Sequence, residues 1–380
     1  MKENDTSHKT LIISLLILYI GSFLILEFSP VINLLFSFLR IVLFLGLFFR
    51  YYIKYFHVEK YELLTIAYFI FVLLATYSNS GHVIRIISYI ISVFSLLVLF
   101  KYFNYVCILR YSTIIFSVFV YLNFILTAIS PTGHFFVDGK PAYLFANNYN
   151  GMGPILLIAI LSNGMYSFIK KKYYFNLFLL ILTSFSTVLI VSSMTSAVGI
   201  VLLTFGIIFV NRLKSRFIIK SFLISVLVVN FVLLYLQTTV ESKFILWFIE
   251  DILGKNSTFS SRTIVWYYAI ELFKESPWVG YGMQGAEWYS FNIGFNTAHN
   301  FILELLLNGG LVLSIIFIFV SFVSINNANK NINKVTNVLQ FGCCTLMLMM
   351  VMETYSQIAI FYLLFLNYYS FKLKLNAKKF

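Results

Sequence analysis

Long apolar runs recur along the chain, and they restrict its possible folds more than any other feature. A helix that crosses the hydrocarbon core of a bilayer, roughly 30 Å thick, needs about 20 mostly apolar residues. Only 11% of the residues are charged, against roughly 25% in an average soluble domain. We expect an all-α integral membrane protein whose 380 residues form a single polytopic membrane domain, 1–380. The sequence predicts about twelve spans, at 11–28, 31–49, 61–77, 83–100, 112–130, 150–169, 174–191, 196–210, 217–236, 300–323, 336–352 and 355–371.

The basic residues predict the orientation of these spans. Short cytoplasmic loops of membrane proteins are enriched in Lys and Arg. With a cytoplasmic N-terminus, every predicted inner segment carries at least two basic residues, and the outer segments carry few of the 27. Because one missing or extra span would break this alternation, we expect both termini in the cytoplasm. The net charge of +13 is spread between apolar runs, so no nucleic-acid partner is expected.

Two of the predicted outer segments are long. Loops of more than about 12–15 residues in a compact protein are usually either functional or disordered. The larger one, 237–299, lies between the ninth and tenth predicted spans and is too rich in Trp, Tyr and Phe for a disordered segment. The sequence therefore predicts a large extracytoplasmic loop at 237–299 that carries the chemistry, and a smaller one at 131–149.

The larger loop has the pattern of two short helices joined by a glycine-rich turn. One of the two serines just before Arg262 can cap a helix, and Pro277 ends it, since a residue before proline avoids the α region. The apolar stripe of this helix is typical of a helix that lies in the membrane interface. Gly280 and Gly282 then permit positive φ angles and the close approach of a ligand.

Short motifs follow one another in this part of the chain, over roughly 260–310. In chain order they are Ser261-Arg262 with Trp266, Pro277…Gly280-x-Gly282, and His299-Asn300-x-x-Leu303 ahead of Gly309-Gly310. Their order resembles a known family, the O-antigen ligase and polymerase superfamily, which includes Wzy-type polysaccharide polymerases, and the topology resembles this family over the whole chain. The stretch Asn147–Gly153 also resembles the family's Pro-Asn-x-x-Gly entry to a middle helix, with Tyr149 in place of the proline.

The resemblance implies transfer of a sugar from a polyprenyl-diphosphate donor to a sugar hydroxyl, at the outer face of a bacterial cytoplasmic membrane. Arg262 is then predicted to stabilise the departing diphosphate, because a guanidinium can hold two phosphate oxygens at once. His299 is predicted to be the general base, because histidine is the side chain suited to proton transfer near neutral pH. No Asp-x-Asp pair occurs in the sequence, so we expect neither a bound metal nor a cofactor.

Seven further residues are candidates for substrate binding. Trp266 and Tyr281 are possible platforms for sugar rings, although aromatic residues are also enriched at membrane interfaces. Many relatives carry a Ser-Arg pair where this chain has Ser193-Met194-Thr195-Ser196, and Arg85 is the candidate that replaces the missing arginine. For the glycines and Asn150, a structural turn and a helix cap are the alternatives. The candidates are Arg85, Asn150, Asn300, Trp266, Gly280, Gly282 and Tyr281.

The leading hypothesis is a polysaccharide polymerase that joins lipid-linked repeat units of a capsule, exopolysaccharide or O-antigen. A ligase that transfers a finished glycan to another carrier is the alternative within the family. A flippase for lipid-linked oligosaccharides is the alternative of another class, yet the two halves of the sequence show no repeat of the kind found in transporters. The expected partners are the polyprenyl-diphosphate-linked oligosaccharide and membrane lipid, with a flippase and a chain-length regulator as candidate protein partners.

Overall fold

The computed structural model describes residues 5–20, 30–53, 57–137, 140–143, 149–210, 262–329 and 333–373, and these are mostly helical. A short antiparallel hairpin, β1 (Phe135–Val137) and β2 (Lys140–Ala142), lies in the predicted smaller outer loop and pairs Phe136 with Pro141. The helices are α1 (Asp5–Ile20), α2 (Pro30–Leu47), α3 (Lys60–Ser78), α4 (Val83–Tyr102), α5 (Tyr105–Ile129), α6 (Gly153–Lys170), α7 (Tyr174–Ile190), α8 (Met194–Ile208), α9 (Arg262–Glu275), α10 (Ala286–Ile293), α11 (Phe301–Ala328), α12 (Lys334–Met349) and α13 (Gln357–Tyr368).

Six of the helices in the described part of the chain are long and apolar enough to cross a membrane, and α7, α8 and α13 are shorter apolar helices. The prediction of a multi-pass helical membrane protein is therefore confirmed. The ninth predicted span, 217–236, and the first part of the larger loop, 237–261, lie outside the described residues, as does the second half of the first predicted span. The total of twelve spans and the cytoplasmic position of the termini stay predictions.

Asparagine side chains define the starts of three of these helices. Oδ1 of Asn104 accepts hydrogen bonds from the backbone N–H groups of Val106 and Cys107 at the start of α5. Asn300 and Asn333 cap α11 and α12 in the same way. A side-chain oxygen at this position satisfies N–H groups that have no partner inside the helix. Each of these three helices therefore begins directly after an asparagine that caps it.

The helices pack around α6, α11 and α13. Helix α6 contacts α5, α7, α8 and α12, and α11 packs on α3 and α13. Every residue of α13 from Gln357 to Asn367 is buried by other helices. In contrast, α2 exposes Val31, Leu34 and Phe38, as expected for an apolar face that meets lipid rather than water. The closely packed centre of the bundle thus supports the turns at the ends of its helices.

Candidate active site

The carboxylate of Glu353 brings Arg262 and His299 together. Arg262 Nη2 donates to Glu353 Oε1 in an ion pair, and His299 Nδ1 lies 3.3 Å from Glu353 Oε2. Arg262 is the first residue of α9, His299 comes just before α11, and Glu353 lies in the turn between α12 and α13. The two residues predicted to be catalytic therefore share one anionic partner that comes from a third segment.

Asn150 joins the same carboxylate from a fourth segment. Its Nδ2 donates to Glu353 Oε1 at 2.6 Å, and its Oδ1 accepts from the hydroxyl of Ser193 at 2.9 Å. The Ser193 hydroxyl also lies 2.8 Å from the hydroxyl of Ser196. Asn150 is not the cap of α6, because it lies in a 3₁₀ turn, Tyr149–Met152, ahead of that helix. The segment that lacks the family's arginine thus reaches the site through Asn150.

The turn that carries Glu353 is attached to the start of α11. Backbone N–H of Phe301 donates to Met350 O at 2.9 Å, and Asn300 Nδ2 donates to Val351 O at 2.9 Å. Asn300 Oδ1 accepts from the first N–H groups of α11. Asn300 is fully buried, and these bonds give it a supporting role. A substrate contact by Asn300 stays a prediction.

His299 has an unusual backbone conformation, with φ +49°. Residues other than glycine rarely adopt the left-handed region, and such conformations persist where the surroundings impose them. Here Asn300 holds the following turn, and Trp266 Nε1 donates to the preceding carbonyl, Ala298 O, at 3.0 Å. The ring of Phe295 packs edge-on to the imidazole, with 5.8 Å between centroids. The imidazole therefore contacts the ring of Phe295 and the carboxylate of Glu353, on a backbone that both neighbouring segments hold.

The two predicted short helices of the loop and the turn between them are confirmed, but the apolar stripe of the first helix packs against protein. Helix α9 ends at Glu275, just ahead of Pro277. Its buried residues Val265, Trp266 and Ala269 belong to a second apolar core, together with side chains of α10 and α11. The stripe faces protein because α10 and α11 cover it, and Tyr267 and Tyr268 are exposed instead. Trp266 is fully buried, so its stacking on a sugar remains an untested prediction.

The glycine-rich turn packs against a break in α11. Gly309 and Gly310 interrupt the helical conformation, and the turn satisfies the freed groups, since Tyr281 N donates to Leu307 O at 2.7 Å. Gly280 has φ +65°, and a Cβ on it would lie 2.5 Å from Leu307 O. The two glycines of the turn contact the chain itself, Gly280 at this break and Gly282 at the backbone of α3. These contacts support the structural alternative, and ligand binding by either glycine stays a prediction.

Arg85 lies near the N-terminal end of α4, within electrostatic range of Glu304 and Tyr289. Its guanidinium carbon is 6.0 Å from the centroid of the Tyr89 ring. Glu304 accepts a hydrogen bond from Ala298 N at 3.2 Å and lies within electrostatic range of His299. Arg85 thus approaches the site by way of Glu304 and not by way of Glu353. Its contact with a diphosphate stays a prediction.

The phenol of Tyr281 is used within the loop. It donates to Leu272 O at 2.9 Å and lies 3.2 Å from Glu275 Oε2. Burial and the neighbouring Glu275 carboxylate raise the pKa of Tyr281 to about 12. Its ring contacts Trp288, with 5.3 Å between centroids. Stacking of Tyr281 on a sugar was predicted, and nothing in the contacts of the described residues tests it.

Two residues of the site, Glu353 and Tyr355, were not predicted from the sequence. The Tyr355 hydroxyl is buried, has no hydrogen-bond partner among the described residues and lies near Glu353 and Arg262. A signal existed for Glu353, because an ionisable residue beside an apolar span is a functional candidate. Within the described ranges, no group of three or more His, Cys, Asp or Glu could hold a metal ion.

Residues 175–318 match the model of a family described as O-antigen ligase. The predicted resemblance to the O-antigen ligase and polymerase superfamily is confirmed. The O-antigen ligase match covers less than half of the chain and includes Arg262 and His299, whereas Asn150 and Glu353 lie outside it. Neither the curated proteins nor the solved structures give a significant match. Together with the apolar helices, the match supports a multi-pass membrane glycosyltransferase of the ligase or polymerase type.

Proposed function

We propose that this protein is a polysaccharide polymerase that joins polyprenyl-diphosphate-linked oligosaccharide repeat units. The observation that carries the proposal is the meeting of Arg262 and His299 on the Glu353 carboxylate. A cation for a leaving diphosphate and a base for an attacking hydroxyl are the two groups that this transfer needs. Asn150, a residue of the other motif that resembles the family, donates to the same carboxylate.

The proposed reaction is a single displacement at a sugar carbon. The oxygen of the acceptor hydroxyl attacks the anomeric carbon of the donor, while His299 takes the hydroxyl proton. The bond between that carbon and the diphosphate oxygen breaks, and the diphosphate leaves with the electron pair. Arg262 binds the departing anion through charge-assisted hydrogen bonds. The donor is already activated, so the reaction needs no ATP.

The proposal places the site on the outer face of the bacterial cytoplasmic membrane. Its basis is the predicted topology, with twelve spans, both termini in the cytoplasm and outer loops at 131–149 and 237–299. In that topology α9, α10 and the turn that carries Glu353 all lie outside. A flippase that delivers the lipid-linked substrate and a chain-length regulator are the protein partners that such a polymerase would use.

The test uses the full-length protein in vesicles and the lipid-diphosphate-linked oligosaccharide extracted from cells that lack it. We expect elongation of this oligosaccharide without ATP, and no elongation by His299→Ala or Arg262→Ala. Glu287→Gln, which changes an exposed carboxylate on α10, is the control and should elongate normally. Translocation of the oligosaccharide without elongation would overturn the proposal in favour of a flippase.

A ligase is the second candidate, because the matching family model is described as O-antigen ligase. The two activities differ in their acceptor. A polymerase yields a ladder of products that differ by one repeat unit and remain on the polyprenyl diphosphate. A ligase moves the glycan once, to a carrier of another chemistry, so mass spectrometry of the products distinguishes the two.

A further inference from the structure

We propose that Glu353 is a positioning residue that fixes the tautomer of His299 and leaves its Nε2 as the basic atom. The inference deepens the proposed function and rests on the role of His299 as the base. Its geometric foundation is the 3.3 Å separation between His299 Nδ1 and Glu353 Oε2.

The contact between Glu353 and His299 defines which imidazole nitrogen carries the hydrogen. An ionised carboxylate can only accept hydrogen bonds, so the hydrogen between the two atoms belongs to Nδ1 of His299. A neutral imidazole carries one hydrogen, and with that hydrogen on Nδ1 the lone pair is on Nε2. The carboxylate therefore selects the nitrogen that can take a proton from an acceptor hydroxyl.

Two other side chains hold the Glu353 carboxylate in place. Arg262 Nη2 and Asn150 Nδ2 both donate to Oε1 of Glu353, which leaves Oε2 for His299. The turn that carries Glu353 is itself tied to the start of α11 through Met350 O and Val351 O. Because Oε1 is fixed from two sides, Oε2 has little freedom to leave the imidazole.

Glu353 is more deeply buried than His299. The side chain of Glu353 is 6% exposed, whereas that of His299 is 23% exposed. The carboxylate thus lies beneath the imidazole, away from the surface from which a substrate approaches. Glu353 acts on the reaction through His299, as outer partners orient the side chains that do chemistry in other sites.

Other charged and titratable groups surround the pair, and they do not replace Glu353. Arg262 donates to Glu353 itself, and Tyr355 lies near both of these residues. Glu304, the other carboxylate within electrostatic range of His299, accepts its hydrogen bond from Ala298 N. The Glu353 carboxylate is thus the acidic group that the described residues place within hydrogen-bond distance of His299.

The first experiment needs no substrate. Diethyl pyrocarbonate acylates the unprotonated nitrogen of a neutral imidazole, and peptide mass spectrometry measures the rate at His299. An amide at 353 can donate to Nδ1, which moves the hydrogen to Nε2 and takes the reactive lone pair away from that atom. The rate at His299 should therefore fall severalfold in Glu353→Gln relative to the rate at the exposed His82, and Glu353→Asp should recover part of it. Glu287→Gln is the matched carboxylate control.

The second experiment measures elongation of the extracted lipid-linked oligosaccharide. An amide at 353 can donate to Nδ1 and stabilise the wrong tautomer, an effect that lowers kcat by on the order of 10⁴-fold in a serine protease. We expect kcat of Glu353→Gln to fall on the order of 10²–10⁴-fold without a rise in KM, because Arg262 becomes freer to bind diphosphate. Glu353→Asp should recover part of kcat. Because unfolded protein would lower the apparent kcat without changing KM, kcat is expressed per folded molecule.

The outcomes separate the two proposals. An unchanged rate of acylation at His299 in Glu353→Gln, or a higher rate that indicates local opening, overturns the positioning role. So does a wild-type kcat in that variant. If the acylation rate falls but the wild-type protein does not elongate the oligosaccharide, the proposed polymerase function fails while the coupling of Glu353 to His299 stands.

Discussion

Two buried glutamates of this protein each bind a cation, in different surroundings. Glu62, in the first turn of α3, pairs with Lys101 at 2.7 Å and lies 3.4 Å from the hydroxyl of Tyr369. Glu353 pairs with Arg262 and contacts Asn150 and His299. Glu62 is completely buried, and its partners come from helices packed around it, whereas the imidazole beside Glu353 is partly exposed.

This difference separates an ion pair enclosed by helices from one whose neighbouring imidazole is partly exposed. A buried pair contributes mainly because loss of one partner leaves an unpaired charge. That applies to both glutamates, but only Glu353 of these two contacts residues of the motifs that resemble the superfamily. In the predicted topology Glu62 is on the cytoplasmic side and Glu353 on the outer side, where the lipid-linked substrate is expected. Access and location, not the type of charge, distinguish the two.

The largest expected effect is the loss of activity in His299→Ala. A general base typically contributes about 10²–10⁴-fold to a rate, so elongation should fall by at least the lower value. The melting temperature in detergent should change little, because the imidazole is partly exposed and Asn300 and Trp266 hold the backbone on either side. The initial rate of elongation in vesicles measures the effect. A rate equal to that of the wild type would show that the pair at Glu353, like the pair at Glu62, has no part in the reaction.

The reverse outcome is expected for Lys101→Met. This change leaves Glu62 buried without its cation, which should lower the free energy of unfolding by about 3 kcal/mol or more. The value of kcat per folded molecule should stay that of the wild type, because the pair is not part of the candidate active site. Chemical unfolding in detergent and the elongation assay measure the two quantities. The double variant Glu62→Gln/Lys101→Met should recover part of the stability, and a reduced kcat would contradict the comparison.

The sequence predicted the helices better than it predicted their contacts. Span positions follow from local hydropathy, and α3, α4, α6, α7 and α11 lie within a few residues of the predicted runs. The turn at Pro277 is likewise a local property of proline. Contacts between distant segments depend on packing, so the role of Gly280 at the break in α11 was open until the fold was known.

The same limit explains which site residues were found. Arg262 and His299 stand in recognisable motifs, and their common partner does not. Glu353 lies in a short turn outside the matched segment, and its position became meaningful only when α12 and α13 placed it beneath His299. The apolar stripe of α9 was assigned to the membrane because local periodicity marks an apolar face but does not tell whether lipid or protein, here α10 and α11, covers it.

A smaller effect is expected from Gly280→Ala, which tests how the glycine-rich turn packs against the break in α11. The added Cβ would meet Leu307 O at 2.5 Å, and the left-handed φ of +65° adds strain. Together these should cost about 1–3 kcal/mol of stability, with a parallel loss of elongation. Gly294→Ala is the matched control, because Gly294 has φ +77° but open space around its Cβ position. Loss of elongation with unchanged stability would instead indicate a direct ligand contact at Gly280.

The smallest expected effect is a pH dependence of stability that arises from Tyr281, in the turn after α9. Burial and Glu275 raise its pKa from the ordinary 10.0 to about 12, so the folded protein holds this proton more tightly than the unfolded chain does. The resulting stabilisation is complete below pH 10 and is lost as the pH rises through about 12. The wild type should therefore lose stability more steeply over this interval than Tyr281→Phe, in melting temperatures measured in detergent. Tyr267→Phe, at an exposed position on α9, is the control and should follow the wild-type curve. Parallel curves for the wild type and Tyr281→Phe would show that the phenol is not buried as the structure places it.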